Sequence, residues 1–521
     1  MSDKIYAVNP IMPGFYPDPS ICAVGGDYYL CNSTFAYFPG LSVMHSRDLV
    51  HWEQIGNVLD RHSQLPLEGV GHSEGLFAPT IRFHDGVYYV ICTNISRGGN
   101  FIVTAESPEG PWSEPHWLED ADGIDPSLFW DEDGKCYYIG THPNPEGVNY
   151  NGDWFIYISE LDLNEWKLVG EKHNVWNGAL KGCIWPEGPH LYFENGYYYI
   201  MHAEGGTGPE HSVMVCRSKS IFGPYENNPK NPILTHRHLG ADYPIKYVGH
   251  GDLIETPAGE WFITVLAVRP LNRFTTMGRE TFLAKVIWEE DWPVVNPGVG
   301  MLTDKVEIDL PEWDPASDPD SYTSRTGGKT CVPGSSRTYD FASMDVLGDE
   351  FLMLRNFASD MYKLDGSGLK LKAGRDDIKA QASPSFIAIR QQHHTFRSEA
   401  AFDAATLKSG ESCGLVLIQN NLYNLRAEVT DGECRMALCK DGTDEILGKA
   451  PVSGEAVVAI EVDGLVAKAY VNGACLGEAS VSDLSTEVAG GFVGCCIGIY
   501  ASANGSDSDT YVNFTRFSYD T

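Results

Sequence analysis

Hydrophobic and polar positions alternate along this chain in short runs, and one arrangement recurs. Leu191-Tyr192-Phe193-Glu194 and Tyr197-Tyr198-Tyr199-Ile200 flank Asn195-Gly196, a turn pair between an apolar and an aromatic run, which predicts a β-hairpin. Ahead of it stands Trp185-Pro186-Glu187-Gly188-Pro189-His190, where a carboxylate sits between two prolines. Glu187 lies nine residues before the turn glycine Gly196. The same ruler fits elsewhere. Asp125 lies nine before Gly134, with Tyr137-Tyr138 after it, and His250 nine before Gly259, with Trp261-Phe262 after it. Asp18 lies eight before Gly26, with Tyr28-Tyr29 following, and Ala78 eight before Gly86, with Tyr88-Tyr89 following. A hairpin repeated five times marks an array of sheet units.

From Pro10 to about Pro311 each hairpin is followed by a further strand and a closing Trp or Tyr segment, such as Ser46-Arg47-Asp48-Leu49-Val50-His51-Trp52. No long amphipathic helical pattern interrupts. Four short strands in each of five units predict an all-β fold, a five-bladed β-propeller over residues 1–310. The innermost strands of a propeller converge on its axis, so Asp18, Ala78, Asp125, Glu187 and His250 are expected to ring one pocket. Asp and His before Pro or Gly are ordinary turn residues too, but four charged or titratable residues at one repeat position exceed what turns require. Residues 311–335 are rich in Pro, Asp, Ser and Gly and read as a linker or packed connector. Over 336–521 the texture changes to alternating strands such as Ser398-Glu399-Ala400-Ala401-Phe402, with turns between, which predicts an antiparallel β-sandwich without a catalytic cluster of its own.

Composition narrows the function. Lys and Arg number 37 against 71 Asp and Glu, a formal charge of -34. Such a surface repels nucleic acid and anionic membrane, so neither is an expected partner. The start, Met1-Ser2-Asp3-Lys4-Ile5-Tyr6, carries no apolar leader core, and no run approaches a membrane span. The 13 cysteines are scattered, several within apolar strands (Cys92, Cys136, Cys216), with no Cys-x-x-Cys spacing. Reduced core thiols in a cytoplasmic protein are the expectation.

Three carboxyl groups around a narrow aromatic pocket suit hydrolysis of a sugar acetal. One protonated acid delivers a proton to the leaving oxygen, and one carboxylate activates water or attacks the sugar. Like charges and burial keep one group protonated near neutrality. Glu187, with its longer reach and its Trp and Pro neighbours, suits the acid. Asp18, stiffly held between Pro17 and Pro19, suits the base, and Asp125 is left to tune and orient. Phe35, Phe38 and Phe77, near the mouths of the units, offer flat faces for a sugar.

Taken together, Gly14-Phe15-Tyr16-Pro17-Asp18-Pro19-Ser20-Ile21, Ser33-Thr34-Phe35, Phe38-Pro39-Gly40 and Asp125-Pro126-Ser127-Leu128-Phe129 form a specific set. Glu187-Gly188-Pro189-His190-Leu191-Tyr192, Ala203-Glu204-Gly205-Gly206-Thr207 and Gly278-Arg279-Glu280-Thr281 complete it. With them the chain resembles glycoside hydrolase family 43 over nearly its whole length, and most closely the two-domain β-xylosidase/α-L-arabinofuranosidase type. The resemblance implies an inverting mechanism with Asp18 as general base, Glu187 as general acid and Asp125 as pKa modulator. It implies that Arg279 contacts substrate and the catalytic carboxylates, and that Phe35 and Thr207 line the sugar subsite. His250 matches an axial histidine that in some members approaches a calcium ion or its waters. Phe77 stands where relatives often carry the Trp of a Trp-Ala-Pro motif, which changes the ring offered to the sugar. The C-terminal part resembles the concanavalin-like sandwich of these enzymes, a loop of which can close one side of the site.

The expectation is therefore an exo-acting enzyme that releases pentose from xylo-oligosaccharides, a β-D-xylosidase with α-L-arabinofuranosidase activity beside it. A mainly arabinofuranosidase enzyme is the alternative, and a non-catalytic carbohydrate-binding protein a remoter one. A retaining invertase-like family also uses three acids, but its Arg-Asp-Pro is absent here, because Ile124 precedes Asp125. No cofactor is expected to be required. A structural calcium ion, met by His250 through water, is left open, since Ca²⁺ prefers oxygen ligands. An oligosaccharide is the expected partner, and self-association into a homo-oligomer is left open.

Overall fold

A computed structural model describes residues 4–315, 317, 318, 322 and 331–521. The remaining residues expected in the linker, including Gly327-Gly328, lie outside the described residues, as do Met1, Ser2 and Asp3.

Up to residue 295 the chain forms five antiparallel sheets of four strands each. Their first strands are Ser20–Val24, Thr80–His84, Ile124–Trp130, Glu187–Glu194 and Lys246–Glu255. Each of these five lies against the next, and Lys246–Glu255 returns to Ser20–Val24, so the inner strands close a ring. Turn chemistry sets the hairpins. Asp85-Gly86 and Asn195-Gly196 each span a two-residue loop with positive φ at both positions (47° and 83°; 49° and 73°). That is the turn whose twist matches paired strands. Strand Ile5–Val8 pairs with Lys305–Ile308 and ties the start of this unit to its end.

The connector packs rather than dangles at the places described. Buried Trp313 lies edge-on to His45 and donates its backbone N–H to Asp48 Oδ2 at 2.9 Å.

Beyond Arg337 two antiparallel sheets, of eight and six strands, face each other as a sandwich. Thr395–Asp403 alternates buried and less buried residues, as a strand with one face inward must. Ser412–Asn420 is buried at every residue but its last. The reason is that its sheet is covered twice. Leu415 and Leu417 meet the other sandwich sheet, whereas Val416 and Ile418 join Phe15, Phe35 and Tyr37 of the first unit. Each fully buried aliphatic side chain contributes roughly 1.5–3 kcal/mol, so this contact sets one unit firmly on the other. Backbone approach is close as well. A Cβ on Gly278 would stand 2.7 Å from the Gly494 nitrogen, which only glycine avoids. One four-residue helix, Thr486–Ala489, lies in the loop that reaches this boundary.

Candidate active site

Each ring position falls at the start of an inner strand or at an irregularity within it. Asp18 and Ala78 lie two residues ahead of Ser20–Val24 and Thr80–His84, and Glu187 opens its strand. The register shifts between Ile124 and Ser127, between Glu187 and His190, and on both sides of Gly249. Asp18, Asp125 and His250 carry left-handed backbones, with φ of 51°, 54° and 46°. A bulge or a left-handed residue re-aims a side chain that regular pleating would send sideways. Such geometry costs of order 1–3 kcal/mol per residue and persists where the surroundings enforce it.

The result is one cavity of about 80 Å³. Asp18, Asp125, Glu187 and His250 line it, together with Phe35, Phe77, Thr207 and Arg279. The three acids, His250, Phe35, Phe77, Thr207 and Arg279, all named from the sequence, thus line one cavity. Phe38 is the exception among the aromatic candidates. It pairs with Met353 of the second unit and packs on His62 and Phe357, because its strand turns outward to that boundary. Trp185 is also not part of the wall; its ring lies over Gly206.

The three carboxyls sit in different fields. Asp18 Oδ1 accepts from Arg279 Nη1 at 2.7 Å and Oδ2 accepts from the Ser33 hydroxyl at 2.6 Å, with His250 Nδ1 at 3.8 Å from Oδ1. Burial alone would raise its pKa, but Arg279, His250 and Ser33 outweigh burial and hold the carboxyl below its usual value. Glu187 has no such cation at contact. Burial, then the negative charges of Asp125 and Asp18, push it well above the ordinary glutamate value. Asp125 is raised as well, first by burial, and its Oδ2 accepts the Gly188 N–H at 3.0 Å. Asp125 and Glu187 line the same cavity, and the negative charge of Asp125 helps Glu187 retain a proton that an isolated carboxyl would lose.

Several contributors were not legible in the sequence. Phe492, from the second unit, stacks on Phe35 at 6.1 Å and meets Phe77 edge-on at 6.1 Å. Its carbonyl accepts from Arg279 Nη2 at 3.4 Å, and its N–H donates to Ser73 Oγ at 2.8 Å. His211 lines the cavity with Nδ1–H donated to the Tyr247 carbonyl at 2.9 Å, and burial lowers its pKa to about 4. Beneath the cavity, Asp252 binds Arg82 through both oxygens, at 2.8 and 3.0 Å, and also accepts from Tyr192 and Ser20. These four residues come from four of the five sheets, so a buried ion pair stitches the inner ring. Such a pair is costly to break by removing one partner.

His250 packs its ring against Gly188, where a Cβ would stand 2.8 Å from Cε1. Among the described residues no group of three or more His, Cys, Asp or Glu is placed to hold a metal ion. Calcium takes six to eight oxygen ligands, and the residues around His250 do not fit direct ligation. All 13 cysteines are free; eleven are buried, Cys183 is half-buried and Cys475 is exposed, and burial pushes the Cys22 thiol up to about 12, as for an inert core thiol. Among the described residues no helix is long and apolar enough to cross a membrane.

The chain is similar to known proteins over nearly its whole length. The family described as glycosyl hydrolases family 43 matches residues 7–293, and the beta xylosidase C-terminal concanavalin A-like domain matches residues 338–520. A xylosidase/arabinosidase of Butyrivibrio fibrisolvens is 49% identical over 98% of this chain and 99% of its own length. A non-reducing end alpha-L-arabinofuranosidase of Bacteroides ovatus is 36% identical, covering 98% of this chain and 94% of that protein. Among solved structures, a xylan beta-1,4-xylosidase from Bacillus halodurans superposes with a TM-score of 0.89 at 31% identity, covering 99% of this chain and 100% of that one.

Proposed function

This chain belongs to glycosyl hydrolases family 43, and from that premise we propose that it is an exo-acting, inverting β-D-xylosidase with α-L-arabinofuranosidase activity beside it. We read its five sheets as the blades of a β-propeller, with residues 1–310 as the catalytic domain and 336–521 as the accessory sandwich. The observation that carries the reading is the contrast between Asp18 and Glu187 within one small cavity. Asp18 is held ionised by Arg279 and Ser33, and Glu187 is held protonated by burial and by its acidic neighbours.

The proposed mechanism follows from those states. Asp18 takes a proton from a water on one side of the bound sugar, and that water attacks the anomeric carbon. Glu187 gives its proton to the leaving oxygen as the glycosidic bond breaks. Asp125 holds the Gly188 N–H, and its negative charge helps keep the proton on Glu187. Arg279 orients Asp18 and reaches Thr207 Oγ1 at 3.4 Å, and Phe35 and Phe77 offer the sugar apolar walls. His250 tunes Asp18, and a calcium ion, if bound, would meet its ring through water, since Ca²⁺ prefers oxygen ligands. Phe492 closes one side of the cavity against Phe35 and Phe77, which supports exo action.

The Bacteroides relative's name favours a second reading, that arabinofuranoside is the main substrate. A panel of aryl β-xyloside, aryl α-L-arabinofuranoside and xylobiose, with the first-formed sugar followed by NMR, tests both. Rapid release of α-xylose from β-xylosides supports the first reading. Arabinose release with xylosides untouched supports the second, and β-xylose as first product overturns inversion.

A further inference from the structure

We propose that Glu204, to which no role has yet been given, is a positioning residue for Glu187: it clamps the connection that delivers this acid to the cavity. The inference rests on Glu187 being the proton donor.

The connection runs from Trp176, the end of strand Lys167–Trp176, to Glu187, the start of the next sheet. Its ten residues, 177–186, include left-handed Gly178, Gly182 and Trp185, so the chain there takes its course from contacts rather than from a regular element. Glu204 closes the neighbouring strand Tyr197–Glu204, in which Ala203 stands opposite Glu187. Its side chain turns away from the cavity and is buried. Oε1 accepts the Ala179 N–H at 2.8 Å and lies 2.9 Å from His202 Nε2. The Trp176 indole N–H points at the same His202 nitrogen from 3.2 Å.

One ring nitrogen cannot donate to a carboxylate and accept from an indole at once. Glu204 is held below the ordinary glutamate range, since His202, the Ala179 N–H and Cys183 outweigh the burial that would raise it. An ionised Glu204 selects the Nε2–H tautomer of His202. The fully buried His202 has no partner at Nδ1, so Glu204 is its hydrogen-bonding anchor. The residues after Glu204 continue the clamp. Gly205 N–H donates to the Ile184 carbonyl at 3.0 Å, and Gly206 lies flat beneath the Trp185 ring, where a Cβ would stand 2.7 Å from Cε3. Trp185 N–H in turn donates to the Gly152 carbonyl at 2.8 Å. Glu204 therefore grips the connection at Ala179, and the chain that follows it grips Ile184 and Trp185, directly before the acid. One residue further, Thr207 enters the cavity wall. Loss of the grip at Ala179 lets the whole connection, and the Glu187 carboxyl with it, drift from the leaving oxygen.

Length and acceptor capacity are what this clamp needs. Glu204→Gln keeps both, whereas Glu204→Asp keeps the charge but falls one methylene short of Ala179. The readout is the ratio of kcat on xylobiose, which needs protonation of a poor leaving group, to kcat on an activated aryl β-xyloside, which hardly does. Both rates come from one preparation, so the ratio does not depend on how much of a variant folds. A misplacement near 1 Å can cost about 100-fold, and the ratio is expected to fall about tenfold or more in Glu204→Asp and to stay within about twofold of wild type in Glu204→Gln. An unchanged ratio in Glu204→Asp overturns the inference, as does an equal fall in Glu204→Gln, which would mark charge rather than placement as the requirement. Glu187→Gln run alongside separates the two readings: if it leaves the ratio unchanged, the assignment of the acid has failed instead.

Discussion

Arg279 Nη1 stands 2.7 Å from Asp18 Oδ1, although 261 residues separate them in the chain. Asp18 meets that guanidinium from a left-handed backbone (φ 51°) with its second oxygen occupied by Ser33. The base of the reaction is therefore kept ionised by a residue directly ahead of strand Glu280–Glu289 in the last of the five sheets. Removing the guanidinium raises the pKa of Asp18, so the acidic limb of the kcat/KM profile moves to higher pH. Arg279→Ala is expected to lose about 100-fold or more in kcat/KM, with Arg279→Lys intermediate. A limb that stays in place in Arg279→Ala shows that another group sets the charge state of Asp18.

Glu187→Gln removes the proton that the leaving oxygen requires. Loss of general-acid help is worth roughly 10²–10⁴-fold, and it should fall on xylobiose far more than on activated aryl glycosides. The alkaline limb of the pH profile disappears with it. Equal losses on both substrates would falsify the assignment.

The same substitution has a stability consequence. The folded chain binds the Glu187 proton more tightly than the unfolded chain does, since its carboxyl is raised above the ordinary value of 4.5. Stability from this group is fully present below that value and is lost as pH rises through the folded pKa. Glutamine escapes that loss. Glu187→Gln should melt above wild type at about pH 7 and converge with it at about pH 4. Calorimetry at both values checks the sign, and a variant less stable at neutral pH contradicts it.

Phe492 tests the contribution of the second unit. Phe492→Ala leaves the three carboxyls untouched but removes the ring stacked on Phe35 and set edge-on to Phe77. Aromatic pairs are worth about 0.5–1.5 kcal/mol, so kcat/KM is expected to fall about 2- to 10-fold, mostly through KM. A fall carried by kcat with KM unchanged would assign Phe492 to the chemical step.

His250 and Gly188 form the last test. Gly188→Ala places a methyl 2.8 Å from the His250 ring at a backbone φ of 60° that disfavours it. It should displace the ring and lower activity as His250→Ala does, with the fold kept in both. Chelation is expected to give a partial loss at most. Abolition by a chelator and restoration by calcium would make the ion essential and reverse this assignment.

The sequence by itself determined the repeated hairpins and the ring of Asp18, Ala78, Asp125, Glu187 and His250. Period-two alternation and Asn-Gly or Asp-Gly turns act locally, and repetition turns a local feature into a spatial one. Resemblance supplied Arg279 and Thr207, which no spacing could have placed. Only the tertiary structure decided the rest. Phe492, Ser73 and Arg279 meet across hundreds of residues because a doubly buried sheet holds the second unit on the first, and Phe38 is drawn away to the same boundary. The Asp252–Arg82–Tyr192 cluster joins different sheets, and Glu204 reaches back from its own strand to Ala179 in a loop, where each partner alone reads as an ordinary residue of its segment. The charge states of the carboxyls followed in the same way. Asp18 and Glu187 have similar proline neighbours in the chain, and the arrival of Arg279, His250 and Ser33 at Asp18, against burial beside Asp125 at Glu187, separates base from acid.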